Sequence, residues 1–112
     1  MISTGETNMP NTHRGEIAAT IDGEERVLCL TLGALAELEA RLGAGDLVGL
    51  SERFAAGRVS ARDLTAILGA GLRGGGNAIT DDDLARMAIE GGLRGAAEVA
   101  AQLLRATFGG AA

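Results

Sequence analysis

From Gly15 the chain alternates strictly: Ile17, Ala19 and Ile21 fall on one side, Glu16, Ala18 and Thr20 on the other. A period of two is the mark of a half-buried strand. Arg26 to Thr31 is a second run of β-forming and leucine residues, and Asp22-Gly23-Glu24-Glu25 lies between the two, so a hairpin is predicted. Two registers compete. A two-residue Asp22-Gly23 turn pairs Ile17 with Leu28 but sets Ile21 opposite Glu24. A four-residue loop, Asp22 to Glu25, pairs Ile17 with Leu30 and Ala19 with Leu28, and its matched apolar partners favour it. An isolated hairpin is marginal in water, so its apolar face is expected to lie on helices.

The period then changes. Leu32, Leu35, Leu38 and Leu42 recur at steps of three, three and four, which predicts a helix from Thr31, as N-cap, to Gly43, as C-terminal stop. A second helix is predicted after an Asp46 cap, with Leu47, Leu50 and Phe54 on one side, ending near Ala56-Gly57. Ser60-Ala61-Arg62-Asp63 resembles a capping box and opens a third, with the stripe Leu64, Ile67, Leu68 and Leu72. Gly69 and Gly71 weaken that helix by about 1 kcal/mol each relative to Ala, which points to compensation by the close approach of another backbone. Gly74-Gly75-Gly76 ends it. Thr80 before Asp81-Asp82-Asp83 is a hydroxyl cap with three carboxylates where the helix dipole is positive, and Leu84, Met87 and Ala88 follow as the apolar side. Gly91-Gly92 interrupts, and Leu93 to Phe108 forms a last helix with Ala96, Val99, Ala100 and Leu103 inward and Leu104 and Phe108 at a second angle. The fold class is therefore α+β: an N-terminal antiparallel β-hairpin packed on four to five short α-helices. Residues 1–13 lack any periodicity and read as a disordered N-terminal tail; residues 14–110 read as a single domain.

Composition narrows the picture. The 112 residues suffice for one core and not for two. With Phe54 and Phe108 the only aromatics, that core must be built from Leu, Ile, Val, Met and Ala. A net charge of −5 sets a repulsive field against phosphate backbones, so nucleic acid is not an expected partner. The single Cys29 cannot close an internal disulfide and reads as a small core residue of a strand. No run of apolar residues is long enough for a membrane span and the N-terminal residues lack a signal-peptide pattern, so the expected setting is cytoplasmic.

Sites of chemistry are not expected. Asp81-Asp82-Asp83 lacks the alternating ligands, turn glycine and twelfth-position Glu of a calcium loop and reads as helix capping. Gly71 to Gly76 follows a helix and lacks the Lys-Ser/Thr ending of a phosphate-binding loop. Ser51, Ser60, Thr65 and Cys29 have no base, because the one histidine, His13, lies in the tail. Glu37 and Glu39 fall on different helix faces, and Glu37 with Arg41 reads as a surface ion pair. A helix-turn-helix would present three aspartates where bases are read. No catalytic, cofactor-binding or metal-binding residue is assigned.

The order of motifs is similar to that in a known family. Arg14-Gly15-Glu16 before the hairpin, Thr31-Leu32-Gly33-Ala34-Leu35-Ala36-Glu37-Leu38-Glu39 at the helix start, Arg53-Phe54-Ala55-Ala56-Gly57 and Ala70-Gly71-Leu72-Arg73-Gly74 together resemble the small tail proteins of gene transfer agents and related tailed phages and prophages. The resemblance covers about Arg14 to Gly110. It implies a non-enzymatic role in tail morphogenesis, without cofactors, in the bacterial cytoplasm or on the virion. The expected form is a tail assembly chaperone that binds the tape-measure protein or tail tube subunits, with self-association a further option. The alternative is a structural tube component retained in the particle. Interaction through apolar surface on the hairpin edge or the alanine-rich final helix is expected.

Overall fold

The computed structural model describes residues 15–42 and 47–109. Among them the order is β1 (Glu16–Ile21), β2 (Glu24–Cys29), α1 (Leu32–Leu42), α2 (Leu47–Ala55), α3 (Ala61–Gly74), α4 (Asp81–Ala85) and α5 (Gly92–Leu104), closed by a single π-helical turn over Arg105–Gly109. The α+β architecture is the one expected. The tail over residues 1–13, the Gly43 stop and the Asp46 cap lie outside the described residues.

Helix α3 is the centre of the molecule. Leu64, Ile67, Leu68 and Leu72 are buried as the periodicity predicts, but so are Ala66, Gly69, Ala70 and Gly71, so the helix is covered on more than one side. Helix α1, strand β2, α4 and α5 all pack on it. Its start is capped by Ser60 Oγ, which accepts from Asp63 N at 3.1 Å. Among the described residues the reciprocal bond of a capping box is absent there; Asp63 instead reaches Arg53 of α2 at 3.9 Å. The full box forms at α4, where Asp83 N donates to Thr80 Oγ1 at 3.0 Å and Thr80 N to Asp83 Oδ2 at 3.2 Å.

The hairpin adopts the register that apolar matching disfavoured. Ile17 pairs with Leu28, Ala19 with Arg26 and Ile21 with Glu24, around a two-residue Asp22-Gly23 turn. Both turn residues have positive φ, 57° and 82°, the twist that suits a tight hairpin and that Asp-Gly favours. The mismatch at Ile21 is resolved from outside the hairpin. Ile21 forms an antiparallel bridge with Ile89, in the link between α4 and α5, and is fully buried. Asp22 N donates to Ala88 O at 2.5 Å and Glu90 N to Thr20 O at 3.2 Å on either side of it. Turn geometry plus this third segment outweighs the few tenths of a kcal/mol offered by each matched pair.

The stripe on α1 also shifts. Thr31 Oγ1 accepts from Ala34 N at 3.1 Å, as the cap predicts, but Leu32 is 86% exposed and the buried residues are Ala34 and Leu38, with Leu35 and Leu42 half-buried beside them. The inward residue at the start of α1 is small because Gly74, at the end of α3, crosses there: a Cβ on Gly74 would lie 3.3 Å from Ala34 Cβ and overlap the carbonyl oxygen of Cys29. A Cβ on Gly75 would overlap the Val27 carbonyl. The close backbone approaches expected at Gly69 and Gly71 are therefore at Gly74 and Gly75, where α3 ends against β2. Gly71 instead makes room for side chains, Leu103 and Leu28. Asn77 completes the joint, donating from Nδ2 to Val27 O at 2.8 Å and Leu72 O at 3.0 Å.

On α5 the inward residues are Ala96, Ala100, Leu103 and Leu104, with Val99 and Phe108 half-buried. Regular α-helix stops at Leu104, short of the predicted Phe108, where the ladder widens to the π turn. Leu50 of α2 is fully buried and Phe54 partly so, while the Leu47 side chain lies outside the described set. In the α4 segment Leu84 is buried and Met87 half-buried, but Ala88 is exposed, its carbonyl turned to the hairpin.

Candidate interaction surface

The most concentrated set of charges lies where α1, α3 and α4 meet. Arg73 donates to both oxygens of Glu37, at 2.5 and 3.4 Å, to Asp81 Oδ1 at 3.1 Å and to the Ile79 carbonyl at 2.8 Å. Arg41 pairs with the other oxygen of Asp81. Glu37 and Arg41, read from their spacing as partners of each other, are thus each paired across to another element. Burial alone would lower the pKa of the Arg73 guanidinium, but the hydrogen bonds and charges of Glu37 and Asp81 outweigh it and hold it above its ordinary value. Gly69 is part of the same construction. A Cβ there would overlap Asp81 Oδ1 and come within 3.3 Å of Arg73 Nη1. Every donor of Arg73 that reaches a carboxylate is committed, so the cluster joins three helices and is not free to hold a ligand.

The other chemistry weighed in the sequence resolves into structure in the same way. Asp81 is an ion-pair partner and Asp83 a cap, whose carboxyl is held below its ordinary pKa by the backbone N–H and then the hydroxyl of Thr80, with a smaller contribution from Arg86. Thr65 Oγ1 donates to Ala61 O at 2.9 Å, Ser60 is a cap, and Cys29 is half-buried in β2. His13 lies outside the described residues. Among the described residues, no group of three or more His, Cys, Asp or Glu side chains could hold a metal ion, and no helix is long and apolar enough to cross a membrane.

Among the described residues two concave surfaces stand out. The larger, about 430 Å3, is an apolar groove between α3, α4 and the start of α5, lined by Leu64, Leu68, Leu84, Met87, Ile89 and Leu93. Leu93 stands 70% exposed there. It was missed because the helical stripe of Leu64 and Leu68 reads as core; only the short α4, which leaves Met87 and Ile89 in an irregular link, keeps the groove open. The smaller, about 240 Å3, runs between β1 and α5 and is lined by Ala18, Thr20, Glu25, Glu90, Glu98 and Gln102 among others. This second cleft borders both the hairpin edge and the last helix, but it is lined mainly by polar side chains and is not the apolar surface expected on those elements.

A search of curated proteins and of solved structures gave no match. A family model does match, that of the phage tail tube protein GTA-gp10, over residues 14–110. The match takes in the two strands and five helices of the described residues and the glycine-rich joint of α3 with β2, and by it this chain belongs to the phage tail tube protein GTA-gp10 family.

Proposed function

We propose that this protein is a non-enzymatic structural subunit of the tail of a gene transfer agent or phage-like particle, built into or onto the tail tube. The observation that carries the reading is the family match over residues 14–110, whose description is a tail tube protein. No catalytic, cofactor or metal site is assigned to it. Purified particles analysed by quantitative mass spectrometry test it: many copies per particle, at a fixed ratio to the other tail proteins, are expected. A chain absent from finished particles would overturn this reading.

One feature of the fold favours the second reading, a tail assembly chaperone for tape-measure or tube subunits. A tube ring needs a broad, repeated interface between subunits, whereas the sheet among the described residues has only two strands. The outer edge of β2 is covered at Val27 and Cys29 by the end of α3. A chaperone needs only a groove for a partner segment. The same experiment separates the two, since a chaperone is recovered with unassembled tail proteins and lost from mature particles.

A further inference from the structure

We infer that the outer edge of β1 at Ala18 is a docking site for a short, extended, basic segment of another protein, which would add to the hairpin as a third strand. The site rests on the strand edge and holds for either tail role.

In a two-residue hairpin the residues flanking the turn face each other through hydrogen bonds, so in β1 the odd positions bond inward to β2 and the even ones point outward. The structure agrees: Thr20 O accepts from Glu90 N, and Asp22 N donates to Ala88 O, both on the outer edge. One step further along the same edge, the N–H and C=O of Ala18 have no hydrogen-bond partner among the described residues. The opposite edge of the hairpin is treated differently, with Val27 O taken by Asn77 and the backbones of Gly74 and Gly75 laid against it. The β2 edge is covered at Val27 and Cys29 by the end of α3; the β1 edge is covered over its tip and then left open at Ala18.

Where that cover ends, the cleft begins. Ala18 and Thr20 form one wall, and Gly95, Glu98, Val99 and Gln102 of α5 the other. Its volume is about 240 Å3. That is room for a few residues of extended chain and not for a helix roughly 10 Å across. The segment Ile89–Glu90 already occupies the start of the row, so an added strand continues it.

Charge selects the occupant. Glu25, Glu90 and Glu98 border the cleft, all are exposed, and none has an ion-pair partner among the described residues. A second copy pairing edge to edge would bring an identical set of carboxylates against them, in a chain of net charge −5; like charges in register are destabilising. A segment with Lys or Arg at alternate positions instead places cations beside the carboxylates while its backbone bonds Ala18, the strand-addition mode of recognition.

Amide hydrogen exchange on the full-length 15N-labelled protein, with synthetic peptides as probes, tests this. In the free protein Ala18 should exchange at least tenfold faster than Ala19, whose N–H faces β2. Saturating acetylated (Lys-Val)3 amide should slow Ala18 exchange at least fivefold and shift the Gly95 and Glu98 resonances. A (Glu-Val)3 peptide and a backbone N-methylated (Lys-Val)3 should do neither. The Glu90→Gln, Glu98→Gln double variant should weaken binding at least fivefold with its melting temperature within 2 °C of the parent, a margin of about 0.3–0.5 kcal/mol at this size. Protection of Ala18 in the free protein overturns the inference: concentration dependence would assign the edge to a second copy, its absence to the chain itself. Binding that leaves Ala18 unprotected, or equal binding of the acidic peptide, overturns it as well.

Discussion

Replacing Gly69 by alanine sets a general rule of helices against a particular contact. In the middle of an exposed helix the change stabilises by about 1 kcal/mol, because alanine loses less conformational freedom on folding. At Gly69 the added Cβ overlaps Asp81 Oδ1 and lies 3.2 Å from its Cγ. Asp81 cannot yield freely, since Arg73 holds one oxygen and Arg41 the other. Its side chain is 14% exposed and that of Arg73 28%, so moving the carboxylate breaks charge-assisted bonds in a partly desolvated setting, each worth about 1.5–3 kcal/mol when sheltered and less as water enters. The net expectation for Gly69→Ala is a loss of about 1–2 kcal/mol, or a melting temperature lower by roughly 5–15 °C for a domain of this size. Thermal unfolding followed by circular dichroism measures it. The decisive arm is a double-mutant cycle: with Asp81→Ala the obstruction is gone, so the same Gly69→Ala change should now stabilise by about 1 kcal/mol. A rise in melting temperature in the parent protein, or the same shift in both backgrounds, would refute the reasoning.

Three further outcomes are expected. Gly74→Ala should cost about 3 kcal/mol, because its Cβ meets the Cys29 backbone and neither β2 nor the end of α3 can retreat; the urea midpoint reports it. Leu38→Ala, at a fully buried position, should cost about 2–5 kcal/mol, whereas Leu32→Ala at an exposed one should stay within about 0.5 kcal/mol, and equal losses in denaturation would restore the evenly buried leucine stripe. Asp83 has its folded pKa lowered by the Thr80 hydrogen bonds, so its contribution is present above its unfolded pKa of about 3.9 and is lost as pH falls through the lower folded value. As the pH is lowered through and below the unfolded value, the melting temperature of Asp83→Asn should therefore fall less steeply than that of the parent.

What was legible in the sequence is what local chemistry decides. Thr31, Ser60 and Thr80 each cap a helix with their own hydroxyl, and the stripe Leu64, Ile67, Leu68 and Leu72 is buried throughout. The errors occur where a distant segment sets the answer. Ile21 opposite Glu24 is unfavourable within the hairpin and acceptable only because Ile89 returns to cover it. Leu32 continues the periodicity of α1, but its surroundings depend on where Gly74 crosses, and that crossing admits Ala34 instead. Glu37 and Arg41 stand one turn apart, yet Arg73 and Asp81 offer each a more sheltered partner. Gly69 was the one readable signal of that cluster, a helix glycine whose cost demanded an explanation, though the neighbour proved to be a carboxylate and not a backbone. The clefts were invisible for a related reason, since a concavity is fixed by the absence of neighbours, which no short pattern records.

The bridge between Ile21 and Ile89 has a consequence for synthesis on the ribosome. The hairpin emerges early, but the segment that covers its tip follows only after α1 to α4 have been made. At about 5–20 residues per second, that interval lasts roughly 3–14 s. Throughout it the nascent sheet has two strands, an uncovered Ile21 and a bare β1 edge, a state that is marginal alone and open to pairing with neighbouring chains. The glutamates along the strands, Glu16, Glu24 and Glu25, are then the nascent chain's protection, keeping sister hairpins on a polysome apart until the later segments arrive.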